Sequence, residues 1–343
     1  MEMNESVPLA PYTTFKIGGP ARYFCDIHSL NEIKEAVAFA REKHLPTFIL
    51  GGGSNVLISD SGFDGVVLHI VLSGIEWEEE GDTIFATAGA GVVWDELVRE
   101  SVERGYWGLE NLSHIPGSVG ASAVQNIGCY GVEACEAIEW VEEYDTENDL
   151  VRRVFPHDCA FGYRDSVWKH DRKGVRVITR VRFRLAKNGS PKTDYKDLRE
   201  YFSDKTIIHP TQQEVRDALF TIRSQKLPDL ARYGTAGSFF KNPVVTTEEA
   251  VQFLKRFPEA LHFSSGGNEI KLSAPWIIDH VLNLRGIRKG NVGTWGKQAL
   301  VLVNYGGASA EEIKTLAHEI QFRAHELTNI ALSPEVVFIG SES

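Results

Sequence analysis

The sequence is poor in the residues that build metal sites and covalent frameworks. Its four cysteines, Cys25, Cys129, Cys135 and Cys159, have neither the close paired spacing of a zinc site nor the density of a disulfide scaffold, so free thiols are expected. The eleven histidines are scattered and none falls in a His-Glu-x-x-His pair, so a protein-held metal is unsupported. No apolar run approaches the length of a membrane span, and the start MEMNESVPLAPYTTF lacks a basic segment followed by an apolar one. These absences predict a cytosolic protein with no membrane partner. Positive charge is also in the minority: the net charge is -11 and the pI is near 5.5, which argues against nucleic acid as the main partner. An anionic small ligand would need locally placed Lys and Arg.

What is present is a chain of 343 residues, long enough for about two or three domains, in which helical and strand patterns mix without a repeat. Ser29-x-x-Glu32 opens a segment with Ile33, Ala36, Val37 and Ala40 on one face. Trp94, Leu97, Val98, Ser101 and Val102 form a similar stripe stopped by Gly105, and both read as amphipathic helices. GVVLHIVL, TIFATAG, IEWVEEY and VRVITRVRFRL read as strands, so the middle of the chain is mostly β. After the polar break KNGSPKT come capped helices at Thr211-x-x-Glu214, Thr246-x-x-Glu249 and Ser309-x-x-Glu312, and SAPWIIDHVLNLRG has Pro near its start and Gly past its end. The fold class is α+β, without the regular βα alternation of a Rossmann sheet. Boundaries are expected near residues 70 and 215, giving units 1–70, 71–215 and 216–343, with the last strand able to return to the earlier units.

Two glycine-rich stretches suggest chemistry. In PTFILGGGSNVLISD, residues 46–60, Gly51, Gly52, Gly53, Ser54 and Asn55 lie between two apolar runs. Val56 stands where a dinucleotide fingerprint needs glycine, and no Gly-Lys-Ser/Thr completes a P-loop. The loop therefore joins strand to strand, and a phosphate here would be held by loop amides; a tight structural turn would use the same residues. NLSHIPGSVGASAVQNIGCYG, residues 111–131, holds four glycines with the polar Asn111, Ser118, Ser122, Gln125 and Asn126 in an apolar setting. A flat ring and a diphosphate can lie against such backbone, although a buried loop packed by glycines is the alternative. FGYRDSVWKH sets Tyr163, Arg164 and Asp165 together, with Ser166 and Lys169 close behind. YGTAGSFFKNP presents Ser238 after a flexible run, outside Gly-x-Ser-x-Gly and with no neighbouring His, so a hydrolase nucleophile is a weak reading.

Taken in order, LGGGSNVL, IPGSVGA with QNIGCYG, FGYRDS, KLPD, AGSFFKNP and SPEVVFIG resemble the UDP-N-acetylenolpyruvoylglucosamine reductases, the MurB enzymes of peptidoglycan precursor synthesis. The resemblance runs from TTFKIGG to the C-terminus, and TDYKDL is similar to the tyrosine loop of the type I members. It implies an FAD-binding pair of domains of the vanillyl-alcohol-oxidase (PCMH) type, followed by a C-terminal α/β substrate domain. It implies FAD, held non-covalently, with NADPH as co-substrate and a small-molecule UDP-sugar substrate; monomer is the expected state. Gly51, Gly52, Gly53, Ser54 and Asn55, with Pro116, Gly117, Ser118, Gly120, Ala121, Gln125, Asn126, Gly128 and Gly131, match the family's flavin segments. Arg164 matches the arginine that stabilises developing charge, Ser238 the proton donor and Glu335 the catalytic glutamate. Tyr163, Tyr195, Lys226, Asn242 and Gln298 match substrate positions. NVGTW and RFPEALHFSSGGNEIKLSAPW fall where the family varies, which leaves residues 255–297 without assigned contacts.

Two other readings compete. An FAD oxidase of the same fold would reoxidise its flavin rapidly in air without the UDP sugar. A non-catalytic nucleotide-sugar-binding protein would be colourless yet bind UDP-N-acetylglucosamine.

Overall fold

A computed structural model describes residues 1–170 and 176–340. The chain forms two compact units, one of residues 1–7, 21–53 and 64–223, the other of 8–20, 54–63 and 224–343. Each is therefore built from separated stretches of chain.

The first unit contains β1 (Asn4–Pro8), β2 (Pro20–Ile27), α1 (Leu30–Glu42) and β3 (Thr47–Leu50); β4 (Val56–Ile58) is given to the second, and β5 (Phe63–Ile70) follows. The sheet order is β1-β2-β5-β3, with β3 parallel to β5 and Thr47 opposite Val66. As the spacing predicts, the Ser29 hydroxyl accepts from Glu32 N–H at 3.3 Å and α1 buries Ile33, Ala36, Val37 and Ala40. Then come β6 (Ile75–Glu80), β7 (Thr83–Gly89), α2 (Trp94–Glu103), α3 (Val119–Gln125), β8 (Gly128–Cys129), β9 (Val132–Glu133), β10 (Ile138–Asp145), β11 (Leu150–Val154) and β12 (Arg176–Ala186). An antiparallel sheet β11-β10-β12-β7-β6 forms the body of this unit. Trp94 of α2 meets Phe183 of β12 edge-on at 5.6 Å, and both are fully buried. Val175, in the stretch expected to open β12, lies outside the described residues.

α4 (Lys196–Asp204) and α5 (Gln212–Lys226) close the unit, burying Leu198 and Phe202 against Val215, Ala218, Leu219 and Ile222. The expected boundary near 215 falls inside α5, because Thr211 and Glu214 cap its start and the apolar face continues to Ile222. The division comes at 223/224.

The second unit adds β13 (Val244–Thr246), α6 (Thr247–Arg256), β14 (His262–Gly266), β15 (Glu269–Leu272), α7 (Ala274–Trp276), β16 (Arg288–Lys289), β17 (Val292–Trp295), β18 (Gln298–Asn304), α8 (Ala310–Thr328) and β19 (Val337–Ile339). Reciprocal Ser/Thr–Glu boxes start α6 and α8 as their sequences predict, and the Asp60 carboxylate accepts from Ala310 and Glu311 N–H at 2.7 and 3.1 Å. SAPWIIDHV departs from a plain α-helix: Ile277–Val281 is a π-turn. The wider turn lets the adjacent Ile277 and Ile278 both enter the core, while Leu282 N–H reaches back to Ile277 C=O at 3.1 Å. β19 returns to pair in parallel with β4, the strand after the first glycine loop. Among the described residues no helix is long and apolar enough to cross a membrane.

Candidate active site

The first glycine loop joins β3 to β4, strand to strand as its composition predicts. A Cβ added to Gly52 would lie 2.8 Å from Gly117 Cα, and one added to Gly51 would lie 2.6 Å from Ser118 Oγ and 3.5 Å from Ala121 Cβ. The two glycine segments, far apart in sequence, therefore adjoin within the first unit with no room for a side chain between them. Gly53 (φ 59°) and Gly117 (φ 126°) have left-handed backbone. Gly120 N–H donates to Ala90 C=O at 2.8 Å, and its missing Cβ allows α3 to lie against Ala90, whose Cβ would be only 2.9 Å away.

What fixes the second loop is invisible to motif reading. His114 N–H donates to Asp95 Oδ1 at 2.5 Å, and Arg216 of α5 donates two N–H groups to the same carboxylate, both at 2.7 Å. Burial works against the charged carboxylate, but the Arg216 fork and the His114 amide prevail and hold Asp95 below its ordinary pKa. Asp95 thus ties α2, α5 and the residues preceding Pro116 together. Gln125 and Asn126 are buried at the end of α3. Asn126 takes a left-handed cap (φ 43°), donates to Glu133 Oε2 and Gly162 C=O at 3.0 Å each, and accepts from Cys135 N–H at 3.0 Å. Its amide is committed to the chain. Gly128 and Gly131 lie in the β8–β9 hairpin, whose tip is Tyr130–Gly131.

Arg164 sits at the second position of a two-residue turn closed by Gly162 and Asp165, which exchange backbone hydrogen bonds at 3.0 and 3.1 Å. Its φ is 57°, where glycine or asparagine is usual. Ser166 anchors the turn by donating to Val124 C=O at 2.6 Å, and Lys169 Nζ donates to Arg164 C=O at 2.9 Å. The Arg164 guanidinium donates to Gly128 C=O and lies 5.3 Å from the Tyr163 ring. A strained backbone held from several sides is the condition under which such a conformation persists at a working site. Tyr195, half exposed at the start of α4, meets Tyr130 edge-on at 5.3 Å.

The second unit carries the other candidates. Ser238 and Phe240 bridge to Val301 and Pro334 respectively, Phe239 N–H donates to Leu300 C=O at 3.0 Å, and Glu335 N–H donates to Phe239 C=O at 2.8 Å. Ser238, Glu335 and β18, which Gln298 opens, are thus neighbouring extended segments. Phe239 and Phe240 are buried beneath an exposed Ser238, whose hydroxyl has no hydrogen-bond partner among the described residues. Asn55, just after the glycine triplet in the chain, joins this group: its Nδ2 donates to Glu335 C=O at 3.2 Å and its own C=O accepts from Val337 N–H at 3.0 Å; Ser54 adjoins it. Asn242 Oδ1 accepts from Ala274 N–H at 2.9 Å, Gln298 Oε1 from Leu300 N–H at 3.5 Å, and Lys226 is half-buried where α5 ends.

A flavin is compatible with these residues. The adjoining glycine backbone offers a surface without side chains, and among the described residues no loop hydrogen bond takes up the N–H groups of Gly52 and Gly53. Cys129, beside Gly128, is a protonated thiol at neutral pH, since burial pushes it up to about 11.

A sequence profile for the FAD binding domain matches residues 21–152, and one for the UDP-N-acetylenolpyruvoylglucosamine reductase C-terminal domain matches residues 229–339. The chain is 39% identical over 341 residues to the UDP-N-acetylenolpyruvoylglucosamine reductase of Chromobacterium violaceum, covering 99% of both chains. It is 40% identical over 336 residues to that of Ralstonia nicotianae, covering 97% of this chain and 98% of the other. The crystal structure of the MurB reductase from Thermus caldophilus matches with a TM-score of 0.68 at 25% identity, covering 98% of both chains. The expected fold is thereby borne out, an α+β FAD-binding portion joined to a MurB C-terminal domain, and the chain belongs to the UDP-N-acetylenolpyruvoylglucosamine reductase family.

Proposed function

We infer that Arg164, Ser238 and Glu335 carry the reaction of this chain, an FAD-dependent oxidoreductase of peptidoglycan precursor synthesis. The reaction is the NADPH-dependent reduction of UDP-N-acetylglucosamine enolpyruvate to UDP-N-acetylmuramate. The bound flavin supplies the relay of a hydride from NADPH to one vinyl carbon of the enolpyruvyl group. The chain must then manage the negative charge left on the neighbouring carbon and delocalised into the attached carboxylate. A permanently charged donor fork suits that task, and the αL turn at Arg164 fixes where its guanidinium begins. Ser238 is assigned as the proton donor. A hydroxyl is a weak acid, so its acceptor must be strongly basic and the serine must be presented without a competing partner; its exposed place above Phe239 and Phe240 supports this. Glu335, hydrogen-bonded through its backbone to Phe239, is assigned to share the developing charge.

Gly51, Gly52 and Gly53, with the segment from Pro116 to Gly131, are assigned to the non-covalently bound flavin, and Tyr163, Tyr195, Lys226, Asn242 and Gln298 to the UDP sugar. We assign the working protein to the cytoplasm as a monomer, with neither nucleic acid nor membrane as partner. The adjoining of the two glycine segments carries the flavin assignment. The test is an anaerobic visible spectrum taken through addition of NADPH and then of the enolpyruvyl substrate. Bleaching by the first and recovery on the second is the expected outcome; bleaching without recovery would assign the electrons to another acceptor.

A further inference from the structure

The β8–β9 hairpin is tipped by Tyr130 and Gly131, with φ of 49° and 82°. Two consecutive positive values describe a turn that favours Asn-Gly, and a bulky aromatic at its first position is strained. Three contacts hold Tyr130 there. Its ring meets Tyr195 edge-on at 5.3 Å and 79°. It also packs on the apolar cluster between α4 and α5. Its carbonyl accepts from Asn111 Nδ2 at 3.1 Å, and the second proton of the same amide goes to Lys192 C=O at 2.8 Å, three residues before Tyr195. One uncharged nitrogen thus joins the hairpin tip to the segment bearing Tyr195. Lys192 is held from its other end by Glu136, at 2.6 Å.

Asn111 is 2% exposed and its Oδ1 is buried without a partner among the described residues. An orphaned buried acceptor is destabilising, so what an asparagine supplies at this position is its two donor hydrogens. The base of the same hairpin is held by Arg164, which donates to Gly128 C=O, and by Asn126, which bridges Glu133 and Gly162. The residue assigned to the developing charge and the tyrosine assigned to the substrate are therefore attached to opposite ends of one short hairpin.

We propose that Asn111 and Tyr130 are positioning residues for Tyr195, and that the 128–133 hairpin sets Tyr195 and Arg164 on a common frame. The proposal rests on the assignment of Tyr195 to the UDP sugar. It accounts for a strained tyrosine at the tip, where a freely turning loop would carry asparagine or glycine.

The test is a pair of double-mutant cycles on the flavin-loaded enzyme, reading KM for the enolpyruvyl UDP sugar. Asn111→Leu is close in size and removes both donors together with the orphaned acceptor; Tyr130→Leu removes the ring edge. Each is expected to raise KM about tenfold, the scale of losing a hydrogen-bonded or ring contact that holds a loop. Tyr195→Ala is expected to raise KM by a similar factor, and each double variant to be no worse than Tyr195→Ala within about twofold, since the partner acts only through Tyr195. Tyr130→Phe, which keeps the ring edge, is expected to recover KM relative to Tyr130→Leu. Multiplying effects in the double variants overturn the proposal, as does a lowered Tm with KM unchanged. If Tyr195→Ala itself leaves KM unchanged, the assignment of Tyr195 falls and the proposal with it, an outcome distinct from multiplying effects. Should Asn111→Leu fail to accumulate as a folded flavoprotein, the Tyr130 cycle decides between the same two outcomes.

Discussion

Gly52→Ala isolates the adjoining of the two glycine segments. Gly52 does not have positive φ, so alanine meets no backbone strain, and the whole effect comes from space. The new Cβ would lie 2.8 Å from Gly117 Cα, 3.0 Å from Gly117 C and 3.3 Å from Ser118 N. All three are backbone atoms that cannot rotate away. Reaching ordinary contact, at 3.4 Å or beyond, requires the segments to part by about 0.6 Å. Forced overpacking of this kind costs about 1–3 kcal/mol, which weakens FAD binding roughly 5- to 150-fold if the parted segments no longer fit the cofactor. Gly51→Ala should be milder, because its obstacle is Ser118 Oγ at 2.6 Å, and Gly51→Ala/Ser118→Ala should recover most of the loss. Gly81→Ala is the control. Its φ is 63° with no atom within 4 Å of the added carbon, so it should lose about 1 kcal/mol of stability and leave flavin affinity alone. The assay is fluorescence titration of apoprotein with FAD, alongside thermal melts. Gly52→Ala binding FAD within about twofold of the parent, with an unchanged Tm, would refute the reasoning.

Ser238→Ala should leave flavin bleaching by NADPH intact and slow recovery on the enolpyruvyl substrate by about a hundredfold or more; equal slowing of both in stopped-flow would remove the proton-donor assignment. Lys226→Ala should raise KM for the UDP sugar about tenfold or more, as for a charged hydrogen bond lost, with flavin content unchanged, and loss of flavin would contradict its placement. Arg216→Met leaves the Asp95 carboxylate, 27% exposed, without its guanidinium. A buried ion pair broken on one side costs about 3–5 kcal/mol, and partial exposure brings this to roughly 2–3 kcal/mol. Because the folded-state pKa of Asp95 is depressed, the pair's stabilisation is fully present above the unfolded carboxylate value near pH 4 and is lost as pH falls through the lower folded value. The gap in Tm between parent and Arg216→Met should therefore be widest near neutrality and narrow below about pH 4. A gap constant with pH would mean that the arginine acts only by packing.

The elements were largely legible in the sequence because their signals are local. Ser29, Thr211, Thr246 and Ser309 each sit three residues before a glutamate and each starts a helix, since the capping hydrogen bond lies within one turn. The central strands were legible through alternation and β-branched residues. The π-turn at Ile277–Val281 was not, because which turn widens depends on what the neighbouring core will accept.

Residue type and motif order are one-dimensional properties, so the sequence alone sufficed to single out the candidates for the chemistry and the bare backbone at Gly51 to Gly53. What those glycines lie against, Gly117 and Ser118, emerged from the packing of the folded chain. That packing also placed Ser238 beside Glu335 through Phe239, and tied the segments at His114, Tyr130 and Lys192 through Asp95, Arg216 and Asn111. None of these pairings has a local signature. Asp95 and Arg216 lie 121 positions apart, and a hydrogen bond between such residues exists only once the sheets and helices between them have packed.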